Sequence, residues 1–85
     1  DVYYQYQNCL IIGEAKTSDD VARVHSKLQF ESYLKKCSLF HGDAVFLAAV
    51  PWTEHATIYN LLKKLQKRYP GVYKVRIIDG IGGAI

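Results

Sequence analysis

The sequence predicts one α/β domain with elements in the order ββαβαβ, an antiparallel hairpin followed by parallel crossovers. Three observations predict this fold. The chain has 85 residues, 49% of them apolar, enough for one core but not for a second. Runs rich in β-branched and aromatic residues have strand length, and two segments between them carry helical spacing. No stretch approaches the roughly 20 apolar residues of a membrane span, so we expect a soluble, cytoplasmic domain with no membrane partner.

The first sixteen residues predict a β-hairpin, because aromatic and β-branched residues dominate both arms around a polar turn at residues 7 and 8. Counting outward from this turn sets Tyr6 opposite Cys9. In the same register Asp1 lies opposite Glu14, whereas a slip of one residue would send Asp1 to the other face of the sheet.

Polar residues after the hairpin mark the start of the first helical region. Thr17 and Asp20 have the spacing of a capping box, and so do Ser26 and Gln29. The apolar residues of this region form two stripes that are out of phase: Val21, Val24 and Leu28, then Phe30, Tyr33, Leu34 and Cys37. We therefore expect helix over most of residues 20 to 38, with a break near the second capping signal.

The second half of the chain predicts two strands separated by a helix. Residues 44 to 50 are a continuous apolar run, the pattern of a central strand buried on both faces. Thr53 can cap the next helix, and its apolar stripe continues until Pro70 and Gly71 end it. Residues 72 to 78 give the last strand, and the glycine-rich residues after it predict a frayed or truncated end.

Trp52 directly follows the predicted central strand and its terminating proline. A tryptophan in that position can seal the end of the core. It can also stack on a nucleobase. The sequence leaves both roles open.

The charge of the chain is modest in sum and uneven in distribution. A net charge of +3 is too small for binding a polyanion by charge alone. Basic residues gather late in both predicted helices and on the last strand, whereas half of the acids lie between residues 14 and 31. Lys35 and Lys36, at the end of the first helical region, are therefore candidates for contacts with the phosphates of a nucleic acid.

Glu14 and Lys16 are the central candidates for a site, because both emerge at the end of an apolar strand. Residues two apart in a strand project from the same face, so the Ala15 side chain turns the other way. The hairpin register sets Asp1 across from Glu14, with Cβ atoms about 5 Å apart, and two such carboxylates can share a hard divalent cation. A lysine beside them can orient a water or stabilise a phosphate, as phosphodiester hydrolysis requires.

Asp1, then twelve residues, then Glu14-Ala15-Lys16 resembles the signature of the PD-(D/E)xK nuclease superfamily. The resemblance implies a restriction-endonuclease-like fold and metal-dependent hydrolysis of DNA phosphodiester bonds. It implies Asp1 and Glu14 as ligands of Mg²⁺, for which Mn²⁺ can substitute, with the Ala15 carbonyl completing the site. Lys16 then handles the attacking water or the phosphate.

Residues of the first helical region extend the resemblance. In several branches of the superfamily the next helix carries a glutamine and, four residues later, a tyrosine, which support the site and contact DNA; Gln29 and Tyr33 match this pattern. The stretch from His25 to Gln29 also resembles the S-x-x-Q element of the virus-type replication-repair branch, through Ser26. By this resemblance Gln29 orients the catalytic group, while Tyr33, His25 and Ser26 lie near DNA. On the residues alone, Gln29 is equally a cap partner of Ser26, and Tyr33 a core residue.

In the superfamily's architecture a helix and a strand precede the aspartate, and here both are missing before Asp1. We therefore expect a fragment of a single nuclease-like domain, working within a larger parent polypeptide or as a homodimer. An alternative is a noncatalytic nucleic-acid-binding or interaction module that keeps a nuclease-like sheet. A third is a structural α/β domain in which Glu14 and Lys16 form a surface ion pair.

Overall fold

A computed structural model of the chain describes residues 2–21 and 23–79. Their elements are β1 (Val2–Tyr6), β2 (Cys9–Ala15), α1 (Ser18–Val21), α2 (Val24–Leu39), β3 (Asp43–Ala49), a 3₁₀ turn η1 (Trp52–Glu54), α3 (His55–Arg68) and β4 (Lys74–Ile78). They form a four-stranded sheet in the order β1-β2-β3-β4, antiparallel between β1 and β2 and parallel elsewhere. The predicted α/β class, with a hairpin followed by parallel crossovers, is confirmed.

The hairpin has the predicted register. Tyr6 pairs with Cys9, and the pairing continues in step along both strands. Gln7, the first turn residue, has a φ of 50°, the left-handed conformation that tight hairpin turns use. Asp1, whose predicted partner is Glu14, lies outside the described residues.

The polar residues after β2 begin a short helix. The hydroxyl of Thr17 accepts the Asp20 N–H at 3.3 Å and donates to the Asp20 carboxylate at 3.0 Å, so the first predicted cap forms. α1 nevertheless ends at Val21 and α2 begins at Val24, so the break comes slightly before the expected position. Ser26, the second predicted cap, is buried inside α2, and its capping role is therefore wrong.

One core lies between the sheet and the two long helices. Alternation turns the even-numbered side chains of β2 and β3 toward the helices. The buried apolar residues of these elements are Leu10, Ile12, Ala44, Phe46, Ala48, Phe30, Leu34, Cys37, Ile58, Leu62 and Leu65. The odd-numbered side chains Val45, Leu47 and Ala49 are only half-buried, because both crossover helices cover the same face. β3 is central as predicted, but the prediction that it is buried on both faces is wrong.

The second long helix begins later than the sequence suggests. Thr53 lies in η1, and α3 begins at His55 without a side-chain cap. The helix ends at Arg68, shortly before Pro70, as predicted. None of the helices in the described parts of the chain is long and apolar enough to cross a membrane.

Phe46 is fully buried at the centre of the core, with its ring centroid 5.7 Å from those of Phe30 and Tyr33. We expect Phe46→Ala to lower the free energy of unfolding by about 3–5 kcal/mol, because it leaves a cavity beneath α2. Urea titration followed by circular dichroism measures this loss. Val72→Ala is the control, since Val72 is 95% exposed, and it should change stability by less than about 0.5 kcal/mol. Equal effects of the two substitutions would contradict the described core.

Candidate functional site

β2 ends with an acid and a base on the face that α2 covers. Glu14 follows the buried Ile12 at a spacing of two, so its side chain also turns inward and is only 2% exposed. Lys16, just beyond the strand, projects to the same side and its side chain is 12% exposed. The Lys16 N–H donates to the Ala49 carbonyl at 2.9 Å, which keeps this residue in line with the strand. Glu14 and Lys16 thus share a face, as their spacing predicts.

α2 adds two polar side chains, one helical turn apart, to this pair. Lys16 Nζ donates to Gln29 Oε1 at 2.5 Å and lies 3.6 Å from Glu14 Oε2. The Tyr33 hydroxyl donates to Glu14 Oε1 at 2.9 Å. These four residues, which we call the Glu14 cluster, form a continuous chain of contacts from Gln29 through Lys16 and Glu14 to Tyr33.

The packing of α2 explains why these side chains meet. Phe30 and Leu34 are fully buried and face the sheet. Gln29 and Tyr33 each precede one of them, so they lie at the border of the buried stripe, above the end of β2. The Tyr33 ring also packs against Phe46. Tyr33 therefore serves the core and the cluster together, whereas Gln29 binds Lys16 rather than capping a helix.

The contacts of Glu14 offset the cost of burying a charge. A carboxylate removed from water is strongly destabilising unless hydrogen bonds and an opposite charge compensate. Here one carboxylate oxygen accepts the Tyr33 hydroxyl and the other lies beside the Lys16 ammonium. Burial, and then the hydrogen bond and negative charge of Glu14, raise the pKa of Tyr33 above its ordinary value. The hydroxyl therefore keeps its proton, and remains a donor, at neutral pH.

The donors that the site offers a metal ion are oxygens. Glu14 Oε2 takes no hydrogen bond from Tyr33, and the neighbouring Ala15 is exposed at the end of β2. Carboxylate and carbonyl oxygens suit Mg²⁺ or Mn²⁺ better than softer metals. Asp1, the other predicted ligand, lies outside the described residues. Within residues 2–21 and 23–79, no three or more His, Cys, Asp and Glu side chains are grouped to hold a metal ion.

The other predicted residues lie along α2 beside the Glu14 cluster. His25 is exposed in the first turn of the helix, and Lys35 and Lys36 are exposed near its end. The Lys36 ammonium is 5.6 Å from the centre of the Tyr3 ring, on the side of β1. Ser26 is 2% exposed, so its side chain is turned to the core. No hydrogen bond among the described residues joins these side chains to the cluster.

Sequence reasoning did not identify a cavity of about 520 Å³ beside Lys16. It opens where β2 and β3 end, between the segments that follow them, with Ala15 on one side and Pro51 on the other. Ligands of α/β sheets commonly bind outside the carboxyl ends of parallel strands. The predicted parallel crossover was therefore a usable signal for this position.

Comparison of the chain with protein-family models, with curated proteins and with solved structures finds no match.

We expect Glu14→Gln to lower the pKa of Tyr33, because it removes a negative charge and weakens the hydrogen bond that together help to raise this pKa. Tyrosine labelled with ¹³C at Cζ, titrated by NMR and assigned with Tyr33→Phe, measures the change. The matched control is Glu31→Gln, because Glu31 accepts a hydrogen bond from Tyr69 and raises the pKa of that residue. Glu31→Gln should move the Tyr69 midpoint and leave that of Tyr33 unchanged. An unchanged Tyr33 midpoint in Glu14→Gln would contradict the described contact.

The same pKa determines how Tyr33 affects stability at alkaline pH. The folded-state pKa lies above the unfolded value of about 10, so the contribution of Tyr33 is fully present below pH 10 and is lost as pH rises through the folded value. We therefore expect the stability difference between the unaltered chain and Tyr33→Phe to shrink above pH 10. Urea titrations across that range measure it, and a difference that grows with pH would have the wrong sign.

Proposed function

We propose that the chain is a metal-dependent nuclease of the PD-(D/E)xK kind, with a restriction-endonuclease-like fold, that hydrolyses phosphodiester bonds of DNA. The observation that supports this most is the contact of Gln29 and Tyr33 with Lys16 and Glu14, respectively. The resemblance to the superfamily assigns residues of the same two segments to one site. A surface ion pair does not explain the arrangement, because the Glu14 side chain is 2% exposed.

In this proposal the strand supplies the reacting groups. Glu14 holds Mg²⁺, or Mn²⁺ in its place, with Asp1 and the Ala15 carbonyl as further ligands. The bound ion would supply charge stabilisation at the phosphate and a more acidic water. Lys16 orients the attacking water or neutralises charge on the phosphate as it develops.

The helix positions these groups. Gln29 accepts a hydrogen bond from the Lys16 ammonium, and this bond restricts the otherwise flexible Lys16 side chain. The Tyr33 hydroxyl donates to Glu14 Oε1, and Glu14 Oε2 takes no part in this hydrogen bond. Exposed cations further along α2, Lys35 and Lys36, would attract the DNA backbone. Cleavage of both strands would need a second copy of the site, in a homodimer or in a larger parent polypeptide.

We expect Glu14→Ala and Lys16→Ala each to reduce the rate of Mg²⁺-dependent cleavage of labelled DNA by at least about 100-fold, because each removes a group acting on the reacting phosphate. Cleavage is measured with the 85-residue chain and with a polypeptide extended by any residues encoded before Asp1. Glu54→Ala and Lys64→Ala are the controls, since these residues have the same chemistry in η1 and α3. Metal-dependent cleavage that survives both cluster substitutions would refute the proposal.

The second candidate is a noncatalytic nucleic-acid-binding or interaction module with the same sheet. It is favoured by the burial of Glu14, whose two oxygens already lie against Tyr33 and Lys16. A cation entering at Oε2 would lie close to the Lys16 ammonium and be repelled by it. In a noncatalytic module this arrangement would serve stability alone, and metal would have no part in it.

Calorimetric titration separates the two candidates. The nuclease proposal predicts a heat of Mg²⁺ or Mn²⁺ binding that Glu14→Ala abolishes and Glu54→Ala preserves, because only the first substitution removes a metal ligand. The noncatalytic candidate predicts the same heat, or none, in all three proteins. Circular dichroism of each protein checks that the loss of a buried carboxylate has not unfolded the domain.

A further inference from the structure

Trp52 is the only tryptophan in the chain and does not belong to its core. It begins η1, beyond the end of β3, and is 67% exposed. The expectation that this residue seals the end of the core is therefore wrong, which leaves base stacking, the other role considered for it. A single exposed aromatic is common on protein surfaces and does not by itself indicate a binding site.

The cavity beside Lys16 is the second feature of this region. Its volume of about 520 Å³ is within the range of small-molecule sites. Apolar groups of Ala49, Val50 and Pro51 form one side, and Lys16 with the residues after it forms the other. Pro51, which lines the cavity, immediately precedes Trp52, so the exposed aromatic follows the cavity lining directly along the chain.

Lys16 belongs to both the cavity and the Glu14 cluster. Its ammonium contacts Gln29 and Glu14, while the residue also lines the cavity. A phosphate held at Lys16 would therefore lie next to a cavity that can take an attached group. Asp19 also lines this space, and its carboxylate would repel a phosphate, which favours the phosphate at Lys16.

We propose that Trp52 and the adjoining cavity form a subsite for an unpaired nucleobase next to the phosphate held at Lys16. The subsite rests on the proposed nuclease function and specifies its substrate as single-stranded or locally unpaired DNA. A base within a duplex is stacked and paired on both sides and cannot enter, whereas an unpaired base can stack on an exposed aromatic ring. Stacking requires only the face of a base, so binding should depend little on sequence.

Tryptophan fluorescence tests the subsite directly, because Trp52 is the sole source of the signal. The chain is titrated without metal, so that no cleavage occurs, with a short single-stranded oligonucleotide and with a hairpin duplex of the same composition. We expect quenching with the single strand and little or none with the duplex. Binding of both DNAs is followed in parallel by the anisotropy of a fluorescent label on the DNA.

We expect Trp52→Ala to weaken single-strand binding by about 5- to 150-fold, the usual effect of losing one base stack. Trp52→Phe should retain most of the affinity, because it keeps an aromatic face. Duplex binding should change less than about twofold in both variants, since a stacked and paired base does not reach the ring. Tyr59→Ala is the matched control, since Tyr59 is an exposed aromatic on α3, and it should leave single-strand affinity unchanged.

The subsite is refuted if single strands bind without quenching, if Trp52→Ala weakens single-strand and duplex binding equally, or if neither DNA binds. The outcome of the cleavage assay does not depend on the outcome of the binding and quenching measurements. Metal-free quenching that depends on Trp52, together with no metal-dependent cleavage, would overturn the nuclease function and keep the subsite. Cleavage that Lys16→Ala abolishes, and that Trp52→Ala leaves unchanged on the single strand and on the duplex alike, would keep the nuclease function and overturn the subsite.

Discussion

A carboxylate with 2% exposure at the end of β2 constrains every element around it. Burying Glu14 without partners would cost several kcal/mol, a large share of the stability of so small a domain. Tyr33 of α2 supplies a hydrogen bond, and Lys16, just beyond β2, supplies an opposite charge. The chain must therefore stay extended past the end of β2. In addition, α2 must lie over that end and be rotated about its axis so that Tyr33 faces Glu14.

The core enforces this rotation. Phe30 and Phe46 pack edge to face. The small buried side chains of Ala44 and Ala48 allow the helices to approach β3 closely. Because Tyr33 also packs on Phe46, the position of its hydroxyl is set by the same contacts that stabilise the domain. A site held by secondary-structure elements in this way is more rigid than one carried on loops.

Topology adds the second half of the site. β2 and β3 are parallel neighbours, so the segments that leave their carboxyl ends begin side by side and enclose the cavity between them. The Lys16 N–H bonds to the Ala49 carbonyl across this edge. Lys16 consequently belongs both to the Glu14 cluster and to the lining of the cavity. This residue links the proposed chemistry at the phosphate to the proposed recognition of the base.

The sequence by itself determined what depends on neighbours along the chain. Strand alternation put Glu14 and Lys16 on one face, the turn set the register of Tyr6 with Cys9, and Thr17 formed its cap. Only the tertiary structure decided the rest: that Ser26 turns inward, that one face of β3 stays half-exposed, and that Trp52 lies outside the core. These outcomes depend on which face the helices cover and how α2 is rotated, which are set by contacts between distant segments. For the same reason the spacing of Gln29 and Tyr33 was visible in the sequence, but their partners were decided by packing.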